Sequence, residues 1–357
     1  MKIATVIGAR PQFIKAAVVS RALQQIDGAN EMIIHTGQHY DANMSNIFFE
    51  EMNIPKPTHH LNIQESNHGA MTGKMIMGIE EILLVEKPDY LLVYGDTNST
   101  LAGSVAASKL HIPIAHVEAG LRSFNMKMPE EVNRIITDRI SKHLFCPTQQ
   151  AVLNLEKEGF KNIDSQIHLT GDVMLDAALY YHQKNTSTIL QKQNLSPNNY
   201  FLCTIHRAEN TNDVKRLKSI IGALNEINKQ HPVIVPLHPR TVKYIEEYDL
   251  KTSFKIIEPV GYFDMLQLIA NAKMILTDSG GLQKEAFFFK KFCITLRDET
   301  EWVELVDNNC NVLVGADENK ILNTVDYFYH NTFPSHLSLY GNGNAGNNIA
   351  SILTTLQ

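Results

Sequence analysis

The sequence predicts an α/β protein with two doubly wound halves, and three observations support this fold class. Short apolar runs alternate with amphipathic, helix-like stretches along most of the 357 residues, a pattern typical of parallel sheets with crossover helices. The chain is also too long for one ordinary hydrophobic core. Finally, the alternation loosens near residue 170 and starts again near residue 201, which indicates two domains of comparable size.

The apolar runs define the predicted strands of each half. In the first half they are KIATVIG, EMIIHTG, YLLVYGD, IPIAHVE and KHLFCPT. In the second half they are YFLCTIH, HPVIVPLHP, FKIIEPVG, AKMILTDSG, FCITLRD and NVLVGAD. Residues 182–200 are poor in large apolar side chains and rich in Asn, Gln, Ser and Thr, so they are interpreted as a linker region. Ligands bind doubly wound sheets at the carboxyl ends of strands, and we expect these ends to face a cleft.

Composition excludes several classes of protein. A net charge of −6 and a pI near 6.2 argue against a nucleic-acid-binding surface. The four cysteines are far apart and form no CxxC motif, which favours reduced thiols in the cytoplasm over disulfides or a zinc site. The N-terminal apolar run is too short for a signal peptide, and no stretch approaches the roughly 20 apolar residues of a membrane span. We therefore expect a cytoplasmic protein with neither a nucleic-acid nor a membrane partner.

The stretch ILTDSGGLQKEA, residues 275–286, predicts a strand that runs into a helix with two glycines in its first turn. Gly280 and Gly281 each cost roughly 1 kcal/mol against alanine in a helix interior. A helix N-terminus binds anions, and glycine lets a phosphate approach the backbone. The alternative is a tight turn that requires positive φ. Ser279 could cap the helix. Glu285 shares the face of Gly281 and could accept hydrogen bonds from ribose hydroxyls, and a solvated helix carboxylate is the alternative.

Two other strand ends carry basic side chains. In VIGARPQFIK, Arg10 follows a strand beside a helix N-terminus, although the missing GK[ST] excludes a Walker A loop. In CTIHRAEN, His206 and Arg207 follow a strand of the second half. A histidine there could neutralise a phosphate or protonate a leaving group. A surface arginine and a structural histidine are the alternatives.

Carboxylates follow further strands of the first half. Asp96 and Glu118 each come directly after an apolar run, and Glu130 opens a helix after Pro129. Neighbouring carboxylates at the mouth of a cleft are typical of acid–base pairs with separated pKa values. The alternative is that Asp96 and Glu130 cap the helices that follow them.

Two patterns are discounted. GNGNAG, residues 341–346, matches GxGxxG, but no strand precedes it and no βαβ unit can form around it. The early region is rich in histidine, yet it contains neither HExxH nor a paired metal spacing. We therefore expect neither a nicotinamide cofactor nor a metal.

Ten motifs in order give the chain a family resemblance: GARPQFIK, TGQH, GDTNST, VEAGLRS, PEEVNR, GDVMLDA, HRAEN, TDSGGLQKEA, RDETEWVE and NVLVGAD. In these motifs it resembles the non-hydrolysing UDP-N-acetylglucosamine 2-epimerases along nearly its whole length. The resemblance implies two Rossmann-like domains facing a cleft, the GT-B fold. The implied domains are residues 1–170 with the C-terminal segment 340–357, and residues 171–339. It also implies a homodimer.

The resemblance further implies a reaction and a site. UDP is eliminated across C1–C2 to give a 2-acetamidoglycal and is then added back while a proton reaches the opposite face. The matched catalytic residues are Asp96, Glu118, Glu130 and His206; the residues matched to UDP binding are Arg10, His206, Ser279, Gly280, Gly281 and Glu285. Further basic side chains of the same motifs are secondary candidates: Lys15, Arg134, Arg207 and Arg297. Domain closure is expected to retain the intermediate, and no cofactor is required.

Departures from the family pattern bear on the substrate. Members acting on UDP-GlcNAc usually have motifs close to GTRPE and PWPEE, whereas this chain has GARPQ and MPEE. Its loop from Glu118 to Glu130 is also shorter than expected for those members. Gln38 matches an activator-binding residue of bacterial members, but Asp41 and the segment NIQESNHGAM depart from that pattern. The sequence looks more like the branch that epimerises UDP-2,3-diacetamido-2,3-dideoxyglucuronate (UDP-GlcNAc3NAcA) for surface polysaccharide such as O-antigen.

Several alternatives stay open at this point. Within the family, the substrate could be UDP-GlcNAc, or the enzyme could hydrolyse its product to free ManNAc. Outside it, a GT-B glycosyltransferase would pass the sugar to an acceptor, and a non-catalytic sensor would bind UDP without proton exchange at C2.

Overall fold

The computed structural model describes residues 1–38, 54–184 and 186–355. The chain divides into two compact units. Unit 1 comprises residues 1–177 together with the C-terminal segment from residue 338, and unit 2 comprises residues 178–337. Within the described ranges, no helix is long and apolar enough to cross a membrane.

Seven strands in the described part of unit 1 form one parallel sheet in the order β3-β2-β1-β4-β5-β6-β7. These strands are β1 (Lys2–Ile7), β2 (Asn30–His35), β3 (His59–His60), β4 (Tyr90–Tyr94), β5 (Ile114–Val117), β6 (His143–Cys146) and β7 (Gln166–Leu169). The helices are α1 (Arg10–Leu23), α2 (His68–Glu86), α3 (Asn98–Lys109), α4 (Pro129–Ile140), α5 (Gln149–Lys157) and the C-terminal α15 (Ala345–Thr355). A further helix, α6 (Val173–Lys184), begins in unit 1 and ends in unit 2. Helices α2 and α3 bury their apolar side chains against β1, β2, β4 and β5 in one core.

Six strands form the parallel sheet in the described part of unit 2, in the order β10-β9-β8-β11-β12-β13. They are β8 (Phe201–Thr204), β9 (Val233–Pro236), β10 (Lys255–Ile257), β11 (Met274–Thr277), β12 (Cys293–Thr295) and β13 (Asn311–Leu313). The helices are α7 (Ile189–Lys192), α8 (Ala208–Thr211), α9 (Val214–Asn228), α10 (Pro239–Glu247), α11 (Tyr262–Asn271), α12 (Gly280–Phe288), α13 (Val303–Asp307) and α14 (Glu318–Tyr329). Two cores cover the two faces of this sheet.

The interpretation of residues 182–200 as a linker region is wrong. Lys184 ends α6, and residues 186–200 pack within unit 2. Ile189 and Tyr200 are buried in its core, where the Tyr200 hydroxyl donates to the carbonyl of Leu268 at 2.6 Å. A few well-placed apolar side chains anchor this otherwise polar segment.

The GNGNAG stretch leads into α15, which packs against α1 in unit 1. The Gly346 N–H donates to Asp176 at 2.9 Å, and a Cβ at Gly346 would lie 2.5 Å from Val18. Glycine at this position therefore serves close helix packing.

Candidate active site

Several candidate residues follow the strands at which each sheet reverses its order. That reversal lies between β1 and β4 in unit 1 and between β8 and β11 in unit 2. Ligands bind doubly wound sheets just beyond the carboxyl ends of such strands. The structure places Gly8 after β1, Asp96 after β4, His206 after β8 and Ser279 after β11.

In unit 1, Lys15 and Glu118 form an ion pair at the end of β5. Each side chain is only 10% exposed, and Glu118 has a φ of +72°. Gly95 has a φ of +62° and lies against this pair, because a Cβ there would be 3.0 Å from Lys15 Nζ and 3.2 Å from Glu118 Oε2. The lysine ammonium therefore fixes the position of this carboxylate beside the Gly95 turn.

Asp96 belongs to a second charged group, centred on Arg134 of α4. Arg134 donates to Asp96 Oδ2 at 2.6 Å and to Glu131 Oε2 at 2.7 Å. Burial raises the pKa of the Glu131 carboxyl, but the backbone N–H groups of Ser123 and Phe124 and the charge of Arg134 outweigh it and leave the pKa below its ordinary value. Glu131 thereby ties the preceding loop to α4.

Glu130 and Glu131 differ in their surroundings although they are adjacent. Glu131 is 1% exposed, whereas Glu130 is exposed near the start of α4. The alternative that Asp96 and Glu130 cap helices is wrong. Thr97 is the N-cap of α3 and accepts from the Thr100 N–H, and the N-cap position of α4 is Met128.

Asp278, at the end of β11, organises the His206 loop in unit 2. Its carboxylate accepts the backbone N–H groups of His206 and Arg207, at 3.0 and 2.9 Å, and lies 3.0 Å from His206 Nδ1. Burial raises the pKa of Asp278, but the hydrogen bond and charge of His206 and these backbone donors outweigh it and lower the pKa. Arg207 Nε also donates to the Asp278 carbonyl at 3.2 Å. His206 is 53% exposed, so its Nε2 is the ring atom left to meet a ligand.

Asp278 lies within the TDSGG stretch, but no role for it was predicted from the sequence. Its position could have indicated a role, because Asp278 is a carboxylate directly after an apolar strand and Asp96 lies only two residues after one. Its side chain is fully buried and acts through His206.

The two glycines of α12 have helical rather than left-handed backbone. Neither Gly280 nor Gly281 is among the glycines with positive φ, so the alternative of a positive-φ turn is wrong. A Cβ at Gly280 would lie 2.3 Å from Glu301 Oε1, whereas a Cβ at Gly281 would meet nothing within 4 Å. Ser279 is the N-cap, but its side chain makes no capping hydrogen bond. The space over Gly281 is therefore open beside the helix N-terminus.

The remaining nucleotide-site candidates differ in how much the structure describes. Glu285 is buried in α12. Arg297, 4% exposed, donates to Glu301 at 3.0 Å and so lies beside the start of that helix. Arg10 is the first residue of α1, and its side chain lies outside the described part of the structure. Among the described residues, no group of three or more His, Cys, Asp or Glu side chains could hold a metal ion.

Comparison with known proteins decides the family. Residues 21–354 match the sequence profile of the family described as UDP-N-acetylglucosamine 2-epimerase. The chain belongs to this family. One relative, the UDP-2,3-diacetamido-2,3-dideoxy-D-glucuronate 2-epimerase of Pseudomonas aeruginosa, is 55% identical over 357 residues and is matched over 100% of both chains. The UDP-N-acetylglucosamine 2-epimerase of Methanocaldococcus jannaschii is 44% identical over 370 residues, 99% of each chain.

A solved structure extends the comparison to the fold. The crystal structure of the M. jannaschii epimerase in complex with UDP-GlcNAc and UDP has a TM-score of 0.87 to this chain, covering 99% of this chain and 100% of that one. The predicted α/β fold with two Rossmann-like units of the GT-B type is confirmed. The predicted family is also confirmed, and the protein is an isomerase, a UDP-sugar 2-epimerase.

Two positions that the sequence analysis linked to the substrate or activator make internal contacts in this epimerase. Gln12 is 1% exposed; its Oε1 accepts the N–H groups of Gly8 and Ala9, and its Nε2 donates to the Tyr94 carbonyl at 3.0 Å. Gln38 Oε1 accepts the Ser99 N–H at 3.1 Å. Asp41, the other activator position, lies outside the described residues.

Proposed function

We propose that this epimerase interconverts UDP-2,3-diacetamido-2,3-dideoxy-D-glucuronate and its manno epimer. The observation that carries the substrate assignment is the full-length, 55% identity to the Pseudomonas aeruginosa epimerase of that name. The GARPQ and MPEE motifs and the short loop between Glu118 and Glu130 favour the same branch. The second candidate is UDP-GlcNAc, the sugar nucleotide named with the M. jannaschii structure.

The proposed reaction is an elimination followed by an addition. The C2 hydrogen has no adjacent carbonyl, so simple proton exchange would be very slow. A carboxylate takes the C2 proton, the C1–O bond breaks, and its electron pair leaves with the β-phosphate of UDP to give a glycal. UDP then adds back at C1 while a proton reaches the opposite face of C2. Atoms and electrons balance without an oxidant.

The charged groups of unit 1 support the proton-transfer part of this proposal. Glu118 is ion-paired with Lys15 and Asp96 with Arg134, so each carboxylate is held in place beyond a strand end. Two carboxylates on separate strand ends suit a reaction that removes a proton from one face and returns it to the other. Glu130 is the third proposed carboxylate.

Unit 2 supports the part that concerns the leaving group. The start of α12 offers backbone N–H groups and the open space over Gly281 for the pyrophosphate. Asp278 holds His206 by Nδ1, which leaves Nε2 to donate to the departing phosphate. Glu285 is the proposed ribose contact, and Arg10, Arg207 and Arg297 are further proposed contacts of the nucleotide.

The first experiment is a proton NMR time course in D₂O with each candidate substrate in turn. The proposal predicts that the diacetamido-uronate is converted to its manno epimer with deuterium at C2, and that this conversion is faster than the epimerisation of UDP-GlcNAc. A preference for UDP-GlcNAc would replace the proposed substrate by the second candidate. Formation of free N-acetylmannosamine would assign the chain to the hydrolysing branch. Release of UDP only when an acceptor sugar is present would indicate a glycosyltransferase.

Three broader expectations stay predictions: a homodimer, a cytoplasmic location and a role in surface polysaccharide synthesis. The first is checked by light scattering, since a dimer would have a mass near twice 40.2 kDa. The others are checked by cell fractionation and by the surface polysaccharide of a deletion strain.

A further inference from the structure

A fully buried histidine connects the candidate active site to a charged network inside unit 1. His116 lies on β5 and is 0% exposed. Its Nε2 is 2.7 Å from the carbonyl oxygen of Gly95, and its Nδ1 is 2.7 Å from Asp138 Oδ1. The proposed reaction gives this histidine no role.

Both ring nitrogens of His116 face oxygens that act as acceptors. A backbone carbonyl can only accept, and Asp138 is held ionised because Arg122 donates to its other oxygen at 2.7 Å and the Gly120 N–H at 3.2 Å. Burial raises the pKa of Asp138, but the hydrogen bonds and charges of His116 and Arg122 outweigh it and lower the pKa. The geometry therefore lets His116 donate from Nε2 to the Gly95 carbonyl and from Nδ1 to Asp138.

The network alternates in charge. Arg122 donates to Asp138 on one side and, through Nε and Nη2, to Glu158 at 2.7 and 2.8 Å on the other. Arg122 thus joins two carboxylates, and Asp138 in turn joins Arg122 to His116. An uncompensated buried charge costs several kcal/mol, so this arrangement persists because each member is paired.

The end of the network is the turn that carries Asp96. Gly95, whose carbonyl His116 holds, has a φ of +62° and lies against the Lys15–Glu118 pair. A left-handed glycine is conformationally permissive, so an outside contact is needed to fix its peptide group. His116 supplies that contact, and its own strand ends at Val117, directly before Glu118.

We propose that His116 is a positioning residue of the epimerase reaction, fixing the Gly95 carbonyl so that Asp96 and Glu118 keep their reactive geometry. The proposal rests on the proposed roles of those two carboxylates. Misplacing a reacting group by about 1 Å can cost 10²-fold in rate. Asp138 holds the other side of the His116 ring, and Arg122 is paired with both Asp138 and Glu158.

The test compares His116→Gln with His143→Gln. His143 is a matched control, since it is a buried histidine on the adjacent strand β6 that bonds to His168 rather than to the Gly95 turn. We expect His116→Gln to lower kcat about 10- to 100-fold with KM and UDP affinity changed less than about threefold, and His143→Gln to keep wild-type kinetics at pH 7.5. In ¹⁵N-histidine spectra at pH 7.5, one ring with protons on both nitrogens should vanish in His116→Gln.

Two results would overturn the proposal: a folded His116→Gln enzyme with wild-type kcat, or a His116 ring with only one protonated nitrogen. If His116→Gln does not fold, the double variant His116→Gln with Asp138→Asn decides. In it the new amide at position 138 can donate to the glutamine oxygen while the glutamine amide donates to Gly95. Recovery of kcat to within about tenfold of wild type would support positioning, and a folded but inactive double variant would reject it.

Failure of this proposal is distinguishable from failure of the proposed function. Deuterium exchange by the wild-type enzyme on the two candidate substrates reports on the function. The ring signal of His116 needs no substrate and reports on the network alone.

Discussion

Gly280 and Gly281 begin α12 side by side, yet their surroundings differ. Gly280 leaves room for Glu301, and the Trp302 indole N–H donates to its carbonyl at 2.9 Å. The space at Gly281 is open, because a Cβ there would meet no neighbouring atom of the described part of the protein within 4 Å. A helix begun by glycine has a cost to stability, and the proposed pyrophosphate site would explain that cost at Gly281.

Gly281→Ala should therefore separate binding from folding. The added methyl group would fill the space proposed for the pyrophosphate, so we expect the Kd for UDP to rise at least about tenfold. The free energy of unfolding should stay the same or rise by about 1 kcal/mol, because alanine is the better helix former. Titration calorimetry with UDP and thermal melts measure the two effects.

Gly280→Ala is the matched comparison. Its Cβ would displace Glu301 from the contact with Arg297, so the melting temperature should fall. Wild-type UDP affinity in Gly281→Ala would mean that the pyrophosphate lies elsewhere.

The carboxylate variants Asp96→Asn, Glu118→Gln and Glu130→Gln should each lose most turnover while keeping UDP affinity. Proton transfer by a placed side chain is worth about 10²–10⁴ in rate, whereas the proposed UDP turn belongs to unit 2. Measurements of kcat and of the Kd for UDP check this. Glu131→Gln is the comparison. It should lower the melting temperature, since Glu131 accepts two backbone N–H groups and Arg134. Near-normal rates in all three carboxylate variants would overturn the site assignment.

At the scale of single elements, the loop before α1 is joined to the turn after β4 by one side chain. Gln12 accepts from two N–H groups at the end of β1 and donates both to the Tyr94 carbonyl at the end of β4 and to the Thr100 hydroxyl of α3. An amide is required, because only an amide both accepts and donates here. The two strand ends at the order reversal of the sheet are thus held together.

Gln12→Glu should destabilise unit 1 without changing the preferred substrate. A carboxylate cannot donate, so the Tyr94 carbonyl would keep only its bond from the Thr100 hydroxyl. The loss of the two bonds from Gln12 Nε2 and the new buried carboxylate should cost about 1–3 kcal/mol. Denaturant melts and the ratio of kcat/KM for the two candidate UDP-sugars measure both effects. A switch in substrate preference would contradict the internal role of Gln12.

Strand ends were the most predictable part of the site. Asp96, Glu118 and His206 were placed after buried strands because apolar runs mark those strands and parallel sheets gather their carboxyl ends. The edge strands β3 and β7 were missed, since HH and QIHL contain no apolar run of the kind that marks a buried strand. The sequence also did not predict which of the two glutamates at the start of α4 is buried. Glu130 and Glu131 are chemically identical, and only the packing of the helix buries Glu131.

At the scale of the whole molecule, the division of the chain has no marker in composition. The boundary between units, at residues 177 and 178, falls within α6. A continuous helix leaves no polar or glycine-rich break. The most polar stretch nearby, residues 186–200, lies within unit 2. Asp278 and His116 were not predicted from the sequence either. Asp278 contacts His206, 72 positions away, and His116 contacts Asp138, 22 positions away, so only the fold brings each pair together.

The stability of unit 1 should decrease as the pH falls from about 6.5 to 4, and His143 should contribute. Burial, the charge of His168 and that of Lys142 lower the pKa of His143 to about 4, from an ordinary value of 6.5. Between these values the unfolded chain binds a proton that the native state does not, so stability rises with pH across this window and is independent of His143 above it. His143→Gln removes this proton uptake.

We therefore expect the melting temperature of His143→Gln to fall less than that of the wild type between pH 7 and pH 4.5. Above pH 7 the two curves should run parallel, each measured relative to its own melting temperature at pH 7. Part of the slope should remain, because burial also lowers the pKa of His168. Calorimetric melts at half-unit pH intervals measure the two slopes, and parallel slopes would show that His143 takes up its proton in the native state as readily as in the unfolded chain.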